Sequence, residues 1–131
     1  MLFRSGVGAG FRFSGAWKHL TGLAPAHAGT LSVSSQKGAV AELRFEGRTV
    51  ILFTKLGANC GKAAVQVDRQ GSETVDTYSA DDIWGVGIWR KKLPESGPHT
   101  LRLEILAEHN PRAKDSLVHI DGVRVERGAA E

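Results

Sequence analysis

Apolar and polar residues alternate along most of this 131-residue chain. Ala39, Ala41, Leu43 and Phe45 fall on one side of an extended segment and Glu42 and Arg44 on the other, the period-two signature of a half-buried strand. Leu101, Leu103 and Ile105 against Arg102 and Glu104 repeat it. The run Val50-Ile51-Leu52-Phe53 is apolar throughout, which predicts a central strand with both faces covered. Strands are expected near 11–20, 30–35, 39–46, 48–55, 62–69, 72–78, 84–91, 99–107 and 116–126. Glu46-Gly47 and Arg69-Gln70-Gly71 read as hairpin turns, with glycine where a positive φ costs least. No helix-period stretch exceeds one or two turns, and residues 21–29 are the place for a short turn.

The pattern predicts one all-β domain, an antiparallel β-sandwich of about 8–9 strands over residues 11–126. Residues 1–10 are glycine-rich and aperiodic and read as a flexible N-terminal segment or linker, with 127–131 as a tail. Sixteen glycines against one methionine agree with many tight turns. Seventeen Lys and Arg against 14 Asp and Glu leave a net charge of +3, too weak and too scattered for a nucleic-acid footprint. Arg90-Lys91-Lys92, the one basic run, reads as a solvated strand end. The N-terminus lacks the apolar stretch of a signal peptide, and no apolar run is long enough to cross a membrane as a helix. The single cysteine, Cys60, rules out an intramolecular disulfide.

Trp17, Trp84 and Trp89 bring in the chemistry of sugars, because a flat indole can stack on the apolar face of a pyranose. Trp84 and Trp89 are five residues apart, so on one uninterrupted strand they face opposite ways and one belongs to the core. Trp84, in a stretch opened by Gly85 and Gly87, is the first candidate platform; Trp89 and Tyr78 are further candidates. The loop 108–115 supplies His109, Asn110, Arg112 and Lys114, an imidazole, amide, guanidinium and ammonium that can bond vicinal hydroxyls. Asn110-Pro111 is equally ordinary turn chemistry.

The residues contain no nucleophile elbow, phosphate-cradling loop or paired-histidine zinc motif, so no catalytic residue is assigned and no enzyme is expected. Cys60 has no zinc signature and no identifiable base, and reads as an inert thiol. The five histidines are dispersed, and His119, between Val118 and Ile120, reads as an outward strand residue.

Phe45-Glu46-Gly47-Arg48-Thr49-Val50, Gly61-Lys62-Ala63, Val67-Asp68, Val75-Asp76-Thr77-Tyr78-Ser79, Gly97-Pro98-His99-Thr100-Leu101 and Val118-His119-Ile120-Asp121-Gly122 follow one another in an informative order. That succession resembles the galactose-binding-like jelly-roll accessory domains of bacterial glycoside hydrolases and carbohydrate esterases. The resemblance implies a non-catalytic carbohydrate-binding module for a polysaccharide or oligosaccharide, working beside a hydrolase or esterase module in a secreted or cell-envelope enzyme. The alternative is a structural domain that packs on that catalytic module. Neither nucleic acid nor membrane insertion is implied, and no cofactor is required. A structural calcium is known in such domains, and Asp81 and Asp82 are the residues that could offer it oxygens. Where the family carries Asp-Gly, this chain has Asp68-Arg69, which shifts the expected turn geometry.

Overall fold

The computed structural model describes residues 2–4, 11–20, 31–68 and 71–126. Ten strands run β1 (Leu2–Arg4), β2 (Phe11–Ser14), β3 (Lys18–Leu20), β4 (Leu31–Ser34), β5 (Val40–Leu56), β6 (Lys62–Val67), β7 (Glu73–Asp76), β8 (Ile83–Ile105), β9 (Val118–Ile120) and β10 (Gly122–Glu126). No helix occurs among the described residues. The larger sheet has the order β1-β10-β5-β8-β6-β7 with β2 also on β5, and the smaller one is β3-β4-β9. Every strand pair is antiparallel, giving the all-β sandwich that the alternation predicts.

The frame is a ribbon of two very long strands. Residues 39–46 and 48–55, expected as two strands, are the single 17-residue β5. Residues 84–91 and 99–105 likewise belong to the 23-residue β8, which ends two residues short of the expected 99–107 strand, and β5 and β8 pair from Val40↔Glu104 to Leu56↔Ile83. Glu46-Gly47 is therefore a register shift inside β5 and not a hairpin turn. Core residues are odd-numbered up to Phe45 and even-numbered from Val50, and at the shift between them Arg48 alone stands opposite the four residues 93–96 of β8. Gly47 serves close approach: a Cβ there would lie 2.4 Å from Val125 Cγ1.

Two predicted strands divide because the chain changes sheets. The 11–20 segment leaves the large sheet after Ser14 and enters the small one at Lys18, passing Gly15 at φ 86°. The 116–126 segment crosses between β9 and β10 at Asp121. Such crossings join two sheets around one core. Leu43, Val50, Leu52, Ala63, Leu103 and Ile120 of that core are each at most 2% exposed.

Leu2–Arg4, expected to lie outside the domain, pairs with β10 and shields what would be a bare sheet edge. The expectations for 5–10, 21–29, 127–131 and the turn residues Arg69 and Gln70 lie outside the described residues. The positive φ before that turn falls on Asp68, at 54°, a conformation that aspartate tolerates better than most side chains. The 50–53 run is central, between β10 and β8, but only Val50 and Leu52 join the core, while Ile51 and Phe53 point outward and are half-buried.

Candidate functional site

The loop 57–61 gathers one end of the sandwich. Gly57 bridges Tyr78 on one side, while Cys60 bridges Leu117 on the other. Lys114 N donates to Ala58 O at 2.8 Å and Leu117 N to Asn59 O at 3.0 Å. Gly61 is hemmed in by backbone, since a Cβ there would stand 2.7 Å from both Glu108 O and Ser116 Cα. Thr77 Oγ1 ties the opposite flank to Gly61 O at 2.6 Å. The Tyr78–Trp84 segment and the 108–117 loop thus flank one short loop.

Trp84 is half-buried and stands outside the hydrophobic core cluster. The Lys55 ammonium sits 5.0 Å from its ring centroid, a cation–π contact, and lies 3.7 Å from Asp82 Oδ2. Its neighbour Ile83 is 45% exposed. Trp89 takes the opposite role that the five-residue spacing predicts: it is 7% exposed, packed in the core, with Nε1 donating to Glu73 Oε2 at 2.9 Å. That burial leaves no open indole face at Trp89 for a sugar. Trp17 also packs on the core and tilts against Phe13 with centroids 5.2 Å apart.

In the 108–115 loop, His109, Arg112 and Lys114 are exposed and Asn110 is half-buried. Asn110 Oδ1 accepts from Arg112 N at 3.0 Å and its carbonyl from Ala113 N at 2.8 Å, so its side-chain carbonyl holds the turn. Its amide N–H groups remain as donors. Tyr78 is half-buried, and its backbone N donates to Asp76 Oδ1 at 3.0 Å.

Asp81 and Asp82 are both exposed. Asp82 faces Lys55, Asp81 N is held by Ser79 Oγ, and among the described residues no three His, Cys, Asp or Glu gather around a common point.

His119 is 7% exposed instead of outward. Alternation does turn it away from Val118 and Ile120, but the 57–61 loop covers that side too, placing Cys60 Sγ 3.6 Å from His119 Nδ1. The partner that Cys60 lacks in the sequence is thus a histidine 59 residues away, which spacing does not disclose. Burial pushes the Cys60 thiol up, against the pull of Lys55, and pushes His119 down to about 4, with Lys55 adding to the effect. The two side chains pack together, buried beneath the 57–61 loop.

A second histidine is set the other way. His99 Nδ1 faces Asp68 Oδ2 in a short contact and its Nε2 lies 3.0 Å from Glu95 O, so both ring nitrogens meet acceptors. Burial works to lower its pKa, but the Asp68 carboxylate and the Glu95 carbonyl outweigh it and raise the pKa above the ordinary value.

One surface feature escaped the sequence reading. On the outer face of β5, Phe53 pairs with Gly87 on β8 and Gly122 on β10, and Ile51 with Arg90 and Arg124. A Cβ on Gly87 would come within 3.5 Å of both side chains, so Ile51 and Phe53 spread over a glycine gap. The signal was the glycine parity in Gly85-Val86-Gly87, but its meaning required the strand register.

No protein-family model and no curated protein matches the chain. Solved structures do. A xanthan lyase from Paenibacillus superposes with a TM-score of 0.65 at 10% identity, covering 89% of this chain and 12% of that one. The exo-β-1,3-galactanase of Phanerochaete chrysosporium, with β-1,3-galactotriose, gives 0.61 at 13% identity over 94% of this chain and 28% of that one. A two-domain esterase active on acetylated mannans, co-crystallised with mannopentaose, gives 0.56 at 17% identity over 76% of this chain and 28% of that one. The chain therefore spans between about an eighth and just over a quarter of these larger proteins, and what it shares with a part of each, at such identities, is a curled antiparallel β-sandwich fold.

Proposed function

We propose that the chain is a non-catalytic carbohydrate-binding domain of the galactose-binding-like jelly-roll kind, carried by a secreted or cell-envelope hydrolase, lyase or esterase. The observation that carries this reading is that Trp84, of the three indoles, stands outside the core. Lys55 occupies one ring face and stiffens the platform, and a pyranose would stack on the other. Tyr78 and the loop residues His109, Asn110, Arg112 and Lys114 would bond its hydroxyls. The neighbours support a polysaccharide ligand: they include proteins crystallised with galactotriose and mannopentaose, and each is far longer than this chain.

The test is affinity electrophoresis in gels cast with β-glucan, xylan, mannan, galactan or xanthan. The native domain is expected to be retarded by one class, and Trp84→Ala to lose at least tenfold in affinity, the order of one stacking contact of about 1.5 kcal/mol. Unchanged retardation of Trp84→Ala would end the Trp84 assignment. A second reading, docking on a catalytic module, is favoured by the 45% exposure of Ile83 beside Trp84. It predicts no retardation by any glycan, together with association of the domain with its own enzyme's catalytic module.

A further inference from the structure

We propose that the outer face of the β2-β5-β8-β6 half of the large sheet is a second glycan-binding subsite, built without an aromatic and suited to a neutral oligosaccharide. It lies along the other half of the long ribbon from Trp84 and does not depend on the Trp84 reading. Strand register sets Arg12 opposite Glu42, Glu42 opposite Arg102, and Arg102 opposite Gln66, so four polar side chains cross four neighbouring strands in one row. Three interstrand spacings of about 4.8 Å give that row a reach of roughly 14 Å, the scale of a short oligosaccharide. The next row holds Arg44, Thr100 and Asp68. Glu42, Gln66, Asp68, Thr100 and Arg102 line a groove of about 640 Å³, within the range of small-molecule sites.

The groups are chemically suited to hydroxyls. A sugar hydroxyl both donates and accepts, and adjacent hydroxyls are best met by a carboxylate next to a guanidinium or an amide. Glu42 is half-buried and holds no ion pair among the described residues, which leaves its oxygens to accept. Arg102 is steadied by Glu104, Nη1 to Oε1 at 2.9 Å, and keeps further N–H groups to donate. Asp68 is fixed at the groove's end by Thr100 N, 2.8 Å from Oδ1, and by His99. The carboxylates of Glu42 and Asp68 are offset by the guanidiniums of Arg12, Arg44 and Arg102 in the same two rows, so opposite charges alternate along the groove and suit an uncharged, hydroxyl-rich chain.

The test is backbone amide chemical-shift mapping of the whole chain during titration with neutral laminari-, manno-, xylo- and galacto-oligosaccharides of four to six residues, and with oligogalacturonate. The expected result is saturable shifts at Gln66, Asp68, Thr100 and Arg102 with one neutral class, persisting in Trp84→Ala. Arg102→Ala, and separately the isosteric Glu42→Gln, which guards against a folding defect, should each weaken that binding at least tenfold. Shifts confined to the Trp84 end would overturn the groove and leave the Trp84 reading standing. A response to oligogalacturonate alone would also overturn it, as would silence of these four amides with every neutral oligosaccharide.

Discussion

The buried His119 makes the domain sensitive to acid in a way that can be worked out in advance. Its imidazole is held neutral, with a pKa of about 4 against the ordinary 6.5, chiefly through burial and secondarily through Lys55. Such a group contributes stability above pH 6.5 and loses it as pH falls towards 4, because the unfolded chain takes up the proton first. Each pH unit between the two values is worth about 1.36 kcal/mol, so the whole contribution is about 3 kcal/mol, of which roughly 2.5 kcal/mol is gone at pH 4.5. With a urea m-value of about 1–3 kcal/mol/M, that loss lowers the unfolding midpoint by about 1–2.5 M. Urea melts followed by tryptophan fluorescence at pH 7 and pH 4.5 measure it. Carboxylates titrate over the same range, so the comparison is with His119→Asn, whose amide can still face Cys60 Sγ but carries no titrating ring. The variant should be less stable at pH 7 and lose less between the two pH values, the difference being on the order of 2.5 kcal/mol. Equal acid losses in the two proteins would show that His119 is not held neutral, and the burial of this ring under the 57–61 loop would be wrong.

His99 should act in the opposite direction: its pKa is raised, so the stability it contributes is complete below pH 6.5 and is lost as pH rises through its folded value. Thermal melts from pH 6 to 9 should show a decline that Asp68→Asn reduces, and an identical decline in the variant would refute the Asp68–His99 contact. Gly61→Ala should destabilise by about 1–3 kcal/mol, because the new methyl would meet Glu108 O and Ser116 Cα at 2.7 Å, backbone atoms that cannot turn aside. A urea midpoint within error of the native protein would contradict the close packing of this loop.

Alternation was enough to read the fold class and most strand positions, because a one-residue slip would turn Leu43 or Leu103 out of the core. What it could not separate was a turn from a bulge. Gly47 looks the same in either role, and its reason for being glycine is Val125, 78 residues on. The chain's passage between sheets at Asp121 was hidden likewise, since Val118–Ile120 and Gly122–Glu126 read as one alternating segment. At the candidate site, the spacing of Trp84 and Trp89 implied that one of them is core, but two register shifts of β8 lie between them and only the structure assigns Trp89 to that place. The groove was not, because Glu42, Gln66 and Arg102 come from three strands and only register aligns them.

The central claim is that Trp84 is the glycan platform, and acrylamide quenching of intrinsic tryptophan fluorescence tests it most directly. Trp89 lies in the core, so Trp84 and Trp17, both half-buried, are the indoles that acrylamide should reach, and Trp84→Ala identifies the Trp84 share. Titration with the retarding glycan should shield that fraction saturably in the native domain and not in Trp84→Ala. Binding that leaves the Trp84 quench untouched would place the ligand elsewhere and contradict the account.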